Sequence, residues 1–125
     1  MPIDKKLFEK EAKTLISKIK EGSSLARDKE YEKAVNCFSD AIISAGLILQ
    51  KDQAVGRKLK LDKVILVIKG YQLKAYMEKL SASGNAGKSE ILEKMEEIAR
   101  GPISFENEYF GKISRAMDEY EGYLR

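Results

Sequence analysis

Asp28-Lys29-Glu30-Tyr31-Glu32-Lys33-Ala34-Val35-Asn36-Cys37-Phe38-Ser39-Asp40-Ala41-Ile42 is the stretch whose reading decides the fold. Its first residues, with Arg27 before them, are wholly charged and read as a turn. From Tyr31 onward the apolar positions are Tyr31, Ala34, Val35, Phe38, Ala41 and Ile42, continued by Ala45 and Leu49. They recur every three or four residues, which lines one face of an α-helix. Small and large residues alternate along that stripe, as they must where a second helix comes close.

Working upstream, Leu7, Phe8, Ala12, Leu15, Ile16 and Ile19 form another helical stripe, with Asp4 placed to cap it and Ala26 near its end. Gly22 interrupts this helix. A glycine there costs roughly 1 kcal/mol relative to alanine, so its use predicts close approach of another helix. Two amphipathic helices with a short joint predict an antiparallel hairpin.

Downstream, 50–60 is polar, contains Gly56, and reads as a loop or a frayed helix start. A third helix follows from about Leu59 to Leu80 and is apolar on two faces. One face carries Leu61, Val64, Ile65, Ile68, Ala75 and Tyr76; the other carries Leu59, Leu66, Leu73, Met77 and Leu80. Such a helix has to be covered twice. Residues 81–88 read as a flexible linker, and 89–125 as two further helices separated by Gly101-Pro102. The last begins after Ser104 and presents Phe105, Tyr109, Phe110, Ile113, Met117, Tyr120 and Leu124. No period-2 alternation competes anywhere, so an all-α single domain is predicted: an antiparallel three-helix core over 5–80 extended by two C-terminal helices.

The length of 125 residues suits one domain with its own core. Prolines occur only at positions 2 and 102, leaving long helices unbroken between them. No apolar run reaches the roughly 20 residues needed to span a bilayer. The start, Met1-Pro2-Ile3-Asp4-Lys5-Lys6, lacks the apolar core of a signal peptide, and the lone Cys37 has no intrachain disulfide partner. A cytoplasmic, reducing setting is the expectation.

Histidine is absent, which removes the commonest general acid–base, the usual partner of a nucleophilic Cys or Ser, and a favoured metal ligand. Cys37 then reads as a small buried hydrophobe. Glu93, Glu96 and Glu97 are interleaved with cations and read as a solvated face. Gly87-Lys88-Ser89 opens a helix, yet a phosphate-binding loop needs glycine where this chain has Ala82, and a strand where it has a helix. No catalysis and no cofactor are expected. A basic cluster at Lys51, Arg57, Lys58, Lys60 and Lys63 is diluted by Asp52 and Asp62 and has no aromatic interleaved to stack on bases. It reads as a solvated loop able to steer an acidic partner, with a nucleic-acid accessory role as the weaker alternative.

A tyrosine, an alanine three on, an aromatic four further and an alanine three beyond (Tyr31, Ala34, Phe38, Ala41) resembles the second helix of a tetratricopeptide repeat. It is equally similar to helix 2 of the microtubule-interacting-and-trafficking (MIT) domain. No second copy of the pattern occurs, as a repeat array would require, and Gln72-Leu73-Lys74-Ala75-Tyr76-Met77-Glu78-Lys79-Leu80 is similar to the end of the third MIT helix. The resemblance covers about residues 5–80. It departs from the MIT pattern at Ala26, where an acidic residue is usual, and in the basic loop between the second and third helices.

The MIT resemblance implies a partner: an amphipathic tail helix, such as that of an ESCRT-type subunit, held between the second and third helices. The groove would be lined by Ile43, Leu47, Leu66, Leu73, Met77 and Leu80, in the helix-in-groove mode. Three other readings of the second apolar face stay open. The chain's own last helix fills the groove as core, or it is a detachable plug that a partner displaces, or the stripe is buried in a homodimer.

Overall fold

The structure, a computed structural model, describes residues 3–84 and 87–101. Among them are five helices and no strand: α1 (Lys5–Arg27), α2 (Tyr31–Lys51), α3 (Gln53–Lys58), α4 (Leu61–Ser83) and α5 (Lys88–Ala99). The all-α class is as the sequence predicts. The count of five agrees with the sequence reading only by coincidence. The helix predicted after Ser104 lies outside the described residues, and α3 forms where the sequence reads as a loop or frayed start.

Each boundary has a local cause. Asp4 caps α1, its Oδ1 accepting the Lys6 N–H at 2.7 Å. The charged turn ends α1 through Lys29, which takes a left-handed φ of 65°. Asp52 ends α2 and caps α3, its two carboxylate oxygens accepting the Val55 and Ile3 N–H groups, each at 3.1 Å. One carboxylate therefore starts α3 and ties the N-terminal segment to it. This double acceptance holds the Asp52 carboxyl below its usual range, mainly through the Val55 bond and then the Ile3 bond.

The sign of the resulting pH effect follows directly. A folded-state pKa below the unfolded one adds stability above the unfolded value, and that stability is lost as pH falls through the lowered value. Asp52→Ala should therefore destabilise at neutral pH and flatten the acid limb of the unfolding profile. Urea titrations between pH 7 and pH 2 check this, and parallel wild-type and variant profiles would refute it.

The linker predicted over 81–88 is shorter in the structure. α4 runs on through Ser83, and the turn to α5 is made with Gly84 and Gly87 at φ of 62° and 68°. Those left-handed values are open to glycine without strain.

α1, α2 and α4 pool their apolar stripes into one core. It contains Phe8, Leu15 and Ile19 of α1, Ala34, Phe38, Ala41 and Ile48 of α2, and Val64, Ile68 and Tyr71 of α4. Gly22 permits the approach its presence predicts: a Cβ there would meet the Phe38 ring at 2.8 Å. Phe38 in turn stacks on Tyr71, with ring centroids 5.6 Å apart and planes 14° from parallel. A second, smaller cluster joins α5 to the rest: Val35, Ala75, Tyr76 and Ile91, flanked by Tyr31, Leu80, Met95 and Ile98. α5 thus covers Ala75 and Tyr76 of the first predicted face together with Leu80 of the second, while Leu66 of that second face is half-buried and Met77 is exposed.

Candidate docking furrow

The seam between α2 and α4 is fixed by polar contacts along its length. Gln72, buried on α4, donates from Nε2 to the Val35 carbonyl at 3.1 Å and to Ser39 Oγ at 2.8 Å. Nearer the end of α4, Lys79 Nζ lies 2.7 Å from Glu32 Oε1. Moving up α2 from Glu32 to Ser39 moves down α4 from Lys79 to Gln72, so the helices are antiparallel. On the same register Ile43 lies near the level of Leu66.

α5 lies over this seam. Ile91 is buried against Val35, Ala75 and Tyr76, with Met95 and Ile98 completing its apolar stripe. A Cβ built on Gly101 would come within 3.6 Å of Lys69 Nζ, so α5 returns along α4 in the antiparallel sense. The electrostatics agree with that placement. The Glu32 carboxyl is held below its usual range by its bond to Lys79, by the Lys79 charge, and then by Lys94 of α5. Burial pushes the Tyr76 phenol up.

The six residues that the sequence assigns to a groove fall into three burial classes. Leu73 is buried, Leu66, Leu47 and Leu80 are half-buried, and Ile43 and Met77 are exposed at 64% and 51%. Leu80 flanks the cluster that α5 closes, so this part of the seam is already occupied. Among the described residues, Ile43, Leu47, Leu66, Leu73 and Met77 belong to neither the buried clusters nor the residues packed against them. Sequence reasoning misses Val35, Tyr76 and Tyr31 as furrow residues, because it counts all three as core. The usable signal is the ridge of Tyr31, Val35, Ser39 and Ile43 at one edge of the α2 stripe, displaced from the Ala34–Phe38–Ala41 face.

Lys51, Arg57, Lys58, Lys60 and Lys63 are all exposed, and come together where α2, α3 and α4 meet. Cys37 is buried, and burial raises its thiol pKa. Glu93, Glu96 and Glu97 stand on α5, of which Glu93, Glu96 and Glu97 are each exposed. Lys88 and Ser89 open α5 after a helix rather than a strand, while Asn85 and Ala86 of that segment lie outside the described residues. No described helix is long and apolar enough to cross a membrane. No protein family, curated protein or solved structure matches the chain.

Proposed function

We propose that this chain is a non-catalytic interaction module that takes an amphipathic helix of a partner protein into the furrow between α2 and α4. The observation that carries this reading is α5 itself. An amphipathic helix already rests in the furrow, with Ile91, Met95 and Ile98 against Val35, Tyr76 and Leu80. Walls that accept one such stripe are chemically suited to another. α5 is also lightly held: Ile91 is its only buried residue. A partner helix with larger anchors replaces α5 and reaches on to exposed Ile43 and half-buried Leu66.

This reading treats α1, α2 and α4 as the three-helix core of an MIT-like module, with α5 as an added element that guards its groove. An ESCRT-type tail is then the class of partner the resemblance favours.

The test is a titration with fluorescently labelled amphipathic peptides carrying apolar residues at i, i+3, i+4 and i+7. Binding at about micromolar strength, roughly −8 kcal/mol, is expected. Leu80→Asp and Ile43→Asp should each weaken it at least about tenfold, since a charge at an anchor position removes its apolar contact. Ile43 is 64% exposed, so thermal unfolding of Ile43→Asp should stay near wild type, while Leu80→Asp, beside the α5 cluster, should leave the α1–α2–α4 core folded by circular dichroism. Leu73→Asp is unsuitable because that side chain is buried. Affinity unchanged by both substitutions would remove the furrow as the site.

A further inference from the structure

The cations at the α2–α3–α4 corner are joined by others that the sequence does not place beside them. The Ile3 N–H bonds to Asp52, so the first turn of α1, with exposed Lys5 and Lys6, is fastened next to the N-cap of α3. Lys5, Lys6, Lys51, Arg57 and Lys60 therefore arrive at one end of the molecule from separate chain segments, and all are exposed. Lys58 and Lys63 stand among them and hold interactions of their own. Among the described residues, the acids closest to these cations along the chain are Asp4, Asp52 and Asp62, with Glu9 further along α1. Two of these are turned onto backbone N–H groups: Asp4 onto Lys6, and Asp52 onto Val55 and Ile3. Asp62, in the first turn of α4, is exposed. Among the described residues cations therefore outnumber acids at this end.

A second observation comes from the backbone. Lys60 sits at the corner with φ 54° and ψ 42°, a left-handed conformation that disfavours a side chain and suits glycine. Lys60 shares this conformation with Lys29 of the α1–α2 turn, and in either place glycine would relieve the backbone while removing one charge.

We propose that this end of the molecule docks on an anionic phospholipid surface. Lysine dominates the cluster, and a compact, fully hydrated charge on a flexible stem suits a fluid array of headgroups rather than fixed bidentate sites. The cations come from a helix start, a helix finish and the six-residue α3 rather than from one face of a single long helix, the element that a duplex groove admits. Phe8, the aromatic residue closest to them in sequence, is buried in the core and so is not presented for stacking on bases. Docking by this end leaves the α2–α4 furrow open along the side of the molecule.

The experiment is co-sedimentation of the full chain with vesicles of phosphatidylcholine, alone or with about 30% phosphatidylserine. Binding is expected to the anionic vesicles only, at about 50 mM salt, and should be lost near 500 mM as screening shortens. The combined variant Lys51→Glu, Arg57→Glu, Lys60→Glu should lower partitioning at least about tenfold, since each basic residue near the surface contributes several-fold. Lys60→Gly guards against misfolding as the cause. It should unfold at the same or a higher temperature, yet bind vesicles about fivefold more weakly. Equal binding to neutral vesicles, no binding to anionic ones, or full retention by the triple variant overturns the proposal. So does displacement by a short DNA duplex at equal phosphate concentration, which would assign the cluster to nucleic acid.

Discussion

Phe38→Ala is expected to lower the unfolding free energy by about 3–5 kcal/mol, the range for removing a fully buried aromatic side chain. Phe38 is 1% exposed and sits where three helices meet. On one side its ring fills the space left by Gly22, where even a methyl group would come within 2.8 Å. On another it stacks on Tyr71 of α4. Truncation would forfeit the transfer free energy of the ring and both contacts at once. The α1–α2 approach is set by the absence of a side chain at position 22, so the helices have little left to close with. Tyr71, stacked on the ring, would lose that contact, and the vacated space would adjoin the cavity that both residues already line. Chemical denaturation of variant and wild type measures the loss. A fall under about 1.5 kcal/mol would show that the site collapses freely, contrary to interior packing at crystal-like density. Adding Gly22→Ala to the truncated variant is informative, because the new methyl would enter vacated space. The double variant should then be more stable than Phe38→Ala alone, a coupling that only contacting residues produce.

That pairing is legible in the sequence itself. Gly22 breaks a helical stripe at a known cost, Phe38 lies at the centre of the neighbouring stripe, and a short charged turn forces the two helices together. The apolar period of α1, α2 and the core face of α4 is strong because each of these faces meets the same interior. The corner at 52–60 is harder to read. α3 has six residues, too few to display a period, and it exists because Asp52 offers carboxylate oxygens to two N–H groups. One of those belongs to Ile3, 49 positions away, and no local signal reports such a partner. The extent of α4 is underestimated for a related reason. Ser81, Ala82 and Ser83 have a composition common in loops, yet serine and alanine are tolerated in a final helical turn, and only Gly84 ends it.

The candidate site is legible as a need and not as an arrangement. Two apolar faces on one helix require two covers. The pattern does not say which segment supplies the second, because any amphipathic helix of the right length satisfies it. α5 proves to be one such cover, and it fits by register: its antiparallel return sets Ile91 against Tyr76 and Gly101 beside Lys69. Leu73 and Ile43 then separate into buried and exposed classes, although spacing alone assigns both to the groove.

Ile91→Asp should make the furrow bind a partner helix about tenfold more tightly, the opposite of what substituting a buried residue usually does to binding. Ile91 is 4% exposed and is the buried anchor by which α5 holds to α2 and α4. Burying such a side chain contributes about 1.5–3 kcal/mol, and an aspartate in its place would have to ionise against Tyr76 and Val35 or leave. Leaving forfeits little else, because Ile91 is the one buried residue of α5. If a partner must displace α5, its apparent affinity is reduced by the fraction of molecules whose furrow is open. Freeing α5 removes that reduction, and about 1.4 kcal/mol of released competition corresponds to a tenfold gain. The main core of α1, α2 and α4 does not include Ile91, so most of the fold should persist. The affinity gain should also vanish when Leu80→Asp is added, because the liberated furrow would then lack an anchor. Peptide titrations on the single and double variants decide the matter. Weaker binding by Ile91→Asp would mean that α5 forms part of the receptor surface. Unchanged binding would mean that the peptide sits elsewhere. Concentration-dependent dimerisation in sedimentation would mean that the vacated furrow prefers a second copy of the chain.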